Sequence, residues 1–116
     1  MPMHEVSLVS ALVDQVEELA RVQHFDRVLT IWLSVGALSG AEPSCIDFCF
    51  SEVTRSSVLE GAQLVMQRED VELACRGCAE LSCPSDPAAL FCGTCHSTDV
   101  DIRKGQDFRI AELEVE

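Results

Sequence analysis

Apolar side chains recur every three or four residues near the start of the chain, where Val6, Val9, Val13, Val16 and Ala20 form one stripe. Because an α-helix has about 3.6 residues per turn, this spacing places the stripe on a single helical face. The neighbouring acidic side chains fall off that face. The pattern therefore predicts an amphipathic helix over residues 6–20.

Four later segments carry strand or helix signals. Residues 27–35 alternate side chains as a strand does, and glycines then break the pattern. Pro43 suits the first position of a second helix, which should end before the next glycine. Residues 63–67 predict a second strand, which residues 71–74 extend toward a cysteine cluster. Residues 108–115 predict a third strand, with a bulge near its middle where the apolar parity changes.

The order of these elements predicts an α+β fold. We expect a three-stranded sheet with two helices on one face, plus an inserted zinc-ribbon-like module with a four-cysteine site. The expected domains are an α/β domain over residues 1–71 and 105–116 and a metal module over residues 72–104. A chain of 116 residues buries a thin core, so a metal staple would add stability.

Two C-x-x-C pairs carry the strongest chemical signal. They consist of Cys75 with Cys78 and Cys92 with Cys95, and thirteen residues separate the pairs. Each pair can place both sulfurs on one side of a tight turn, and two facing turns form a closed tetrahedral shell that suits zinc. Rubredoxin-like iron is an alternative for the same shell. A thioredoxin-like redox role fits less well, because the two pairs satisfy each other as ligands.

The three remaining cysteines fit simpler roles. Cys83 lies between the pairs and is interpreted as a loop thiol rather than as an exchanging ligand. Cys45 and Cys49 are four residues apart on the second predicted helix, a spacing that could bind metal. Cysteine is often buried as a small apolar side chain, and we favour that interpretation for this pair.

The charge balance excludes several classes of function. Eight Lys and Arg residues face 20 Asp and Glu residues, a formal net charge of −12 that repels nucleic acids and anionic membranes. No apolar run approaches the ~20 residues that cross a bilayer, and no signal-like segment appears, so we expect a cytoplasmic protein. In that reducing compartment, seven cysteines indicate metal rather than disulfides. No nucleophile–base pair appears and the zinc shell is closed, so no enzyme is predicted.

A histidine near the start of the chain is a second candidate site. In the segment Met3-His4-Glu5, an imidazole, an amine and deprotonated backbone amides could form a square-planar nitrogen site. That geometry is typical of Ni(II) or Cu(II). Taken alone, such a histidine is more often a solvated residue.

The combined motifs resemble the HypA/HybF family of nickel metallochaperones, which mature nickel–iron hydrogenases and in some bacteria assist urease. The resemblance covers residues 3–116. It is carried by Met3-His4-Glu5, residues 32–39, Glu42, residues 48–50, the two cysteine pairs, Gly105 and residues 109–115.

This resemblance implies roles for individual residues. His4 would bind Ni(II) together with backbone nitrogens of its neighbours Met3 and Glu5, and Glu42 would be an accessory nickel-site residue. A carboxylate at the start of a helix is the simpler interpretation of Glu42. The zinc would be structural.

The resemblance also implies partners. The protein would take Ni(II) from a HypB-like GTPase and pass it to the precursor of the hydrogenase large subunit, acting as a monomer or weak homodimer. A zinc-ribbon nucleic-acid module is an alternative that the negative charge opposes. A structural adaptor that recruits proteins through the zinc module is another, and loss of nickel binding in His4→Ala would argue against it. His24 and His96 are expected to be solvated loop residues.

The first residues depart from the family pattern, because Met1-Pro2 precede the Met-His-Glu segment. A chain starting at Met3 or at Pro2 would offer an amine, amides and an imidazole as a complete chelate. A retained Met1 would place a proline nitrogen, which has no proton to lose, inside the chelate and should weaken it.

Overall fold

The computed structural model describes residues 3–116, which form two α-helices and six β-strands. The elements are α1 (Met3–Gln23), β1 (Val28–Gly36), α2 (Pro43–Val53), β2 (Gln63–Glu69), β3 (Glu72–Cys75), β4 (Leu81–Ser82), β5 (Val100–Lys104) and β6 (Phe108–Val115). The strands form two three-stranded sheets, with orders β2-β1-β6 and β4-β3-β5. The predicted α+β class, with two helices, a three-stranded sheet and an inserted cysteine module, is confirmed.

One strand prediction was wrong. Residues 71–74 do not continue β2, because β3 belongs to the second sheet. Leu73 pairs with Ser82 of β4 on one side and with Ile102 of β5 on the other, both antiparallel. The cysteine module therefore has a sheet of its own, and two residues separate its first strand from the end of β2.

The chain divides into two compact units. The first unit covers the chain up to Leu33, together with Ala41–Gln67 and Arg109–Glu116, and the second covers Ser34–Gly40 and Arg68–Phe108. The domain boundaries expected from the sequence stay a prediction, because a domain is defined by folding on its own. No helix in residues 3–116 is both long and apolar enough to span a bilayer.

Helix α1 buries a stripe of apolar side chains whose centre lies slightly to one side of the stripe that the sequence predicts. Val9, Leu12, Val16 and Ala20 are buried at spacings of three and four residues, while Val6 and Val13 are only half-buried. The buried line continues backward to position 5, which is occupied by an acidic residue. In the same unit α1 packs against α2, whose buried side chains are Ile46, Cys49 and Phe50.

Strand β1 is buried along almost its whole length instead of on one face. It lies between β2 and β6, and Ile31 and Leu33 have no exposed surface. Buried polar side chains on a central strand need partners. Thr30 has one, because its hydroxyl donates to a carboxylate oxygen of Glu114 at 2.8 Å.

The second unit contains a close crossing of backbones at Gly36. The Gly36 N–H donates to the carbonyl of Asp107 at 2.8 Å, and the Leu38 N–H donates to the carbonyl of Gly105 at 2.7 Å. A Cβ on Gly36 would lie 2.4 Å from the Gly105 carbonyl oxygen. Since backbone atoms cannot rotate away as a side chain does, only glycine fits there.

We expect Gly36→Ala to destabilise the protein by about 2 to 3 kcal/mol, because overpacking against backbone costs energy of that order. Thermal unfolding followed by circular dichroism would measure it. Gly77→Ala is the matched control, since a Cβ at Gly77 would meet only the Cys75 sulfur at an ordinary 3.7 Å. Equal melting temperatures for the two variants would contradict the backbone crossing.

Candidate metal centres

The first C-x-x-C segment folds into a tight turn that follows directly from β3. The Cys75 N–H donates to the carbonyl of Glu80 at 3.0 Å, and the Ala79 N–H donates to the carbonyl of Cys75 at 3.1 Å. Ala79 adopts a φ of 64°, in the left-handed region. That conformation turns the chain back sharply enough for both bonds to form.

The second C-x-x-C segment repeats this turn. The Cys92 N–H donates to the carbonyl of Ser97 at 2.8 Å, and the His96 N–H donates to the carbonyl of Cys92 at 2.9 Å. His96, in the position that corresponds to Ala79, also has a φ of 64°. The two turns thus present their cysteines in the same way, although their other residues differ.

Backbone N–H groups point at the first sulfur of each turn. The Cys92 sulfur accepts hydrogen bonds from the N–H groups of Cys95 and Thr94, both at 3.4 Å, and these lower the pKa of the Cys92 thiol to about 6. The Cys75 sulfur accepts from Cys78 at 3.4 Å and from a glycine at 3.3 Å, and its pKa is also lowered. Such bonds favour the thiolate, the form that binds metal.

The thiol pKa of the second cysteine in each turn is raised instead of lowered. At Cys78 a backbone bond from Glu80 lowers the thiol pKa, but desolvation and the neighbouring Cys92 and Cys75 sulfurs raise it to about 12. At Cys95 a backbone bond from the loop that follows lowers the pKa, but the Cys75 sulfur and desolvation raise it overall. Four thiols this close cannot all ionise without a cation among them.

The four sulfurs form one compact cluster. Those of Cys75 and Cys95 are 3.5 Å apart, those of Cys78 and Cys92 are 3.6 Å apart, and all four lie within 4.8 Å of one another. A zinc ion with Zn–S bonds of about 2.3 Å would need tetrahedral edges of about 3.8 Å. The donor set and its spacing fit such an ion. This is a four-cysteine metal-binding site, as its sequence predicts.

Surface contacts brace the two turns. Arg76, inside the first turn, pairs with Asp99 at 2.6 Å and with Asp101 on β5. In the second turn the Gly93 N–H donates to the hydroxyl of Ser82 on β4 at 3.2 Å. Exposed ion pairs contribute up to about 1 kcal/mol each, so their main effect is to orient the turns.

The other cysteines stay outside this cluster. Among residues 3–116, no second group of three or more His, Cys, Asp or Glu side chains converges in this way. Cys83 is exposed and Cys45 is half-buried. Cys49 is buried and donates to the carbonyl of Ile46 at 3.6 Å, and desolvation raises its pKa, with a smaller effect from Glu5. It has the character of a neutral core thiol.

His4 lies in the first turn of α1 with an exposed side chain. The first four N–H groups of a helix have no acceptor within the helix, so the backbone nitrogens around His4 are not committed to helical hydrogen bonds. Met1 and Pro2, on which the expectations about the terminal amine depend, lie outside the described residues. Of the two other histidines, His24 follows α1 and has a φ of 60°, and the ring of His96 stacks on that of Phe91.

The side chains of Glu5 and Glu42 have structural roles that are visible in their contacts. Glu5 is 4% exposed, and its carboxylate accepts the Glu42 N–H at 3.1 Å. Glu42 is the N-cap of α2, where its own carboxylate accepts from the N–H and hydroxyl of Ser44 at 3.5 and 3.1 Å. Glu42 therefore caps the N-terminus of α2, which agrees with its simpler interpretation from the sequence as a carboxylate at the start of a helix. A nickel role for either residue stays a prediction.

Sequence reasoning missed the buried carboxylate of Glu5, the bracing by Arg76 and the left-handed residues after each turn. Glu5 had a signal, because it lies four residues before Val9 on the buried stripe. For Arg76, the sequence offered no signal other than its position inside a C-x-x-C pair. Alanine gives no sequence signal of a positive φ at position 79, whereas histidine, the residue at position 96, adopts a positive φ more often than most residue types do.

Fold and site together define a small α+β metal-binding protein with a zinc-ribbon-like module built on four cysteines. The family model for hydrogenase/urease nickel incorporation, metallochaperone, hypA matches residues 3–115. The chain therefore belongs to the HypA family of nickel metallochaperones for hydrogenase maturation.

Curated relatives agree over their full length. Hydrogenase maturation factor HypA of Albidiferax ferrireducens and that of Methylocella silvestris are each 40% identical over 114 residues, covering 98% of this chain and 100% of theirs. The solution structure of the Ni metallochaperone HypA from Helicobacter pylori matches with a TM-score of 0.74 and 29% identity, covering 96% of both chains. A second solution structure of a HypA protein gives a TM-score of 0.74 and 30% identity, covering 100% of this chain and 98% of that one.

Replacing Cys78 or Cys95 by Ser should release the metal and disorder residues 75–95, because a three-sulfur remnant cannot close the tetrahedral shell. The helices should stay folded. Metal analysis of the purified variants and circular dichroism would measure both effects. Cys83→Ser is the control and should keep one metal ion per chain, since Cys83 lies outside the cluster. Full metal occupancy in the first two variants would count against the site.

Glu5→Ala should destabilise the protein by about 1 to 3 kcal/mol, because it leaves the Glu42 N–H without an acceptor. Glu5→Gln should cost less, since its amide oxygen can still accept. Chemical denaturation would measure both. Exposed Glu60 offers a control, and Glu60→Ala should change stability by no more than about 0.5 kcal/mol. If Glu5→Ala were as mild as this control, the bond between α1 and the start of α2 would contribute nothing.

Proposed function

We propose that this protein carries Ni(II) on its N-terminal segment and holds a structural zinc ion in the four-cysteine site. The nickel ligands would be the His4 imidazole and the backbone nitrogens of its neighbours Met3 and Glu5. The observation that carries the proposal is the match of residues 3–115 to the family of nickel incorporation metallochaperones. The exposure of His4 at the start of α1 supports the proposed ligand set.

Chelation of Ni(II) at this position would require only a small change in backbone conformation. Two adjacent amide nitrogens bind one ion in a planar ring when the intervening ψ is near 0°, whereas helical ψ is about −42°. The first turn of α1 would therefore have to open by a modest rotation. Its N–H groups have no intrahelical acceptors, so the rotation breaks no helical bond to them.

The zinc proposal follows from coordination chemistry. Four thiolates around one ion leave no open coordination position, which is typical of structural rather than catalytic zinc. The same shell suits iron, and metal analysis distinguishes the two. In such a site the ion stabilises the turns that bind it, so the module and its metal would fold together.

The proposed partners are a HypB-like GTPase that supplies Ni(II) and the precursor of the hydrogenase large subunit that receives it. The similar proteins support a role in delivering nickel to a hydrogenase, because they are hydrogenase maturation factors. A formal net charge of −12 would speed encounters with basic surfaces on either partner. Since Cu(II) binds nitrogen sites more tightly than Ni(II), metal selection would depend on these contacts and on metal supply.

His4→Ala should abolish nickel binding while zinc content stays at one ion per chain, because the imidazole is the only side-chain ligand in the proposed set. Isothermal titration with Ni(II), on protein of homogeneous terminus starting at Met3, would measure the loss. His24→Asn is the matched control: it removes another exposed histidine, and asparagine tolerates the left-handed backbone there. Stoichiometric nickel binding by His4→Ala would contradict the nickel site and favour a purely structural adaptor.

A further inference from the structure

A groove of about 240 Å³ opens on the second unit beside the second cysteine turn. Ligand pockets for small molecules usually measure about 300 to 1,000 Å³, so this groove suits one or two side chains better than a cofactor. Its lining includes Ser82, Cys83, Pro84, Asp86, Phe91 and Gly93.

One wall of the groove is built by the segment from Asp86 to Phe91. The Ala89 N–H donates to the Asp86 carbonyl at 2.9 Å, and the Phe91 N–H donates to the Ala89 carbonyl at 3.0 Å. The Phe91 ring stacks on His96 with centroids 5.9 Å apart and an angle of 27°. The apolar ring is therefore held in place before anything binds, which reduces the entropy cost of binding.

Another part of the groove lining belongs to the second sheet. Ser82 lies on β4, pairs with Leu73 of β3, and accepts the Gly93 N–H with its hydroxyl at 3.2 Å. Because β4 is an edge strand, its outer backbone groups are not paired within the sheet. An extended segment could lie along this edge.

Large apolar side chains are exposed on this part of the module. Phe91, which lines the groove, is 41% exposed. Leu81, the residue before Ser82 on β4, is 56% exposed, and its side chain is on the other face of the strand from that of Ser82. An exposed aromatic ring at a concave site is typical of an interaction surface.

Among the described residues that line the groove, the charged one is Asp86, which is acidic. The sequence contains no Lys or Arg between Arg76 and Arg103. Of the four acidic residues in that interval, Asp99 and Asp101 pair with Arg76. Glu80 and Asp86, nearest the groove in sequence, form no salt bridge within the described part of the chain. A basic segment is therefore the complementary occupant.

We propose that this groove docks an extended segment of a partner protein in which an apolar side chain is flanked by lysine or arginine. The apolar side chain would enter the groove against Phe91, and the flanking cations would lie near Asp86 and Glu80. This surface is separate from the proposed nickel ligands, so the proposal holds or fails independently of nickel binding.

The probe is a fluorescein-labelled peptide with a Leu-Phe core flanked by two lysines on each side, and its analogue with glutamates replacing the lysines. Titrated into ¹⁵N-labelled, zinc-loaded full chain, the basic peptide should shift amide signals of residues 80–93, and its affinity should fall as salt rises. The acidic analogue should bind at least ten-fold more weakly. Shifts centred elsewhere, or equal binding of both peptides, would overturn the proposal.

Phe91→Ala should weaken the basic peptide at least five-fold, whereas Phe48→Ala, which removes an aromatic ring that is 75% exposed on α2, should have no effect. If Phe91→Ala loses zinc, Asp86→Asn decides the matter: it should weaken binding at least two-fold at low salt, and Glu60→Gln should not. Equal effects of the paired variants would overturn the proposal. So would a concentration-dependent dimer that excludes the peptide, since the occupant would then be a second copy of this chain.

Discussion

The second unit depends on bringing four cysteine sulfurs within 4.8 Å of one another. Without a cation that arrangement is electrostatically costly. A backbone bond from Glu80 lowers the pKa of the Cys78 thiol, but desolvation and the neighbouring sulfurs raise it to about 12, whereas backbone N–H groups lower the pKa of the Cys92 thiol to about 6. A divalent ion removes the conflict by stabilising all four thiolates. The two matching turns, with a left-handed residue after each, are the backbone conformation that this convergence requires.

Features under strong chemical or hydrophobic constraint were predictable from the sequence. Metal coordination fixes residue type and spacing, so the four cysteines could be assigned without a structure. The long amphipathic stripe of α1 and the alternation in β1 similarly predicted their elements. Strands β3, β4 and β5 were not recognised as a sheet, because β4 has only two residues and β5 is largely polar. Their pairing joins segments that lie on both sides of the two cysteine turns, which propensity alone does not reveal.

The Glu5 side chain shows another limit of sequence reasoning. An acidic residue in the first turn of a helix normally suggests a solvated charge that complements the helix dipole. Here the carboxylate is buried and joins α1 to the N-cap of α2 through the Glu42 N–H. A nickel ligand set that uses the Glu5 amide would change the backbone of this same residue. The proposed nickel site would therefore require a change in backbone conformation next to a tertiary contact. The four-cysteine site, in contrast, would leave no open coordination position on its ion.

The central claim is that two ions occupy two chemically distinct sites, sulfur for zinc and nitrogen for nickel. X-ray absorption at both metal edges, on protein carrying one zinc and one nickel ion per chain, tests this most directly. The account predicts four sulfur neighbours at about 2.3 Å around zinc, unchanged by nickel, and a nickel shell of nitrogen and oxygen donors without sulfur. Sulfur in the nickel shell, or loss of sulfur from the zinc shell when nickel is added, would contradict it.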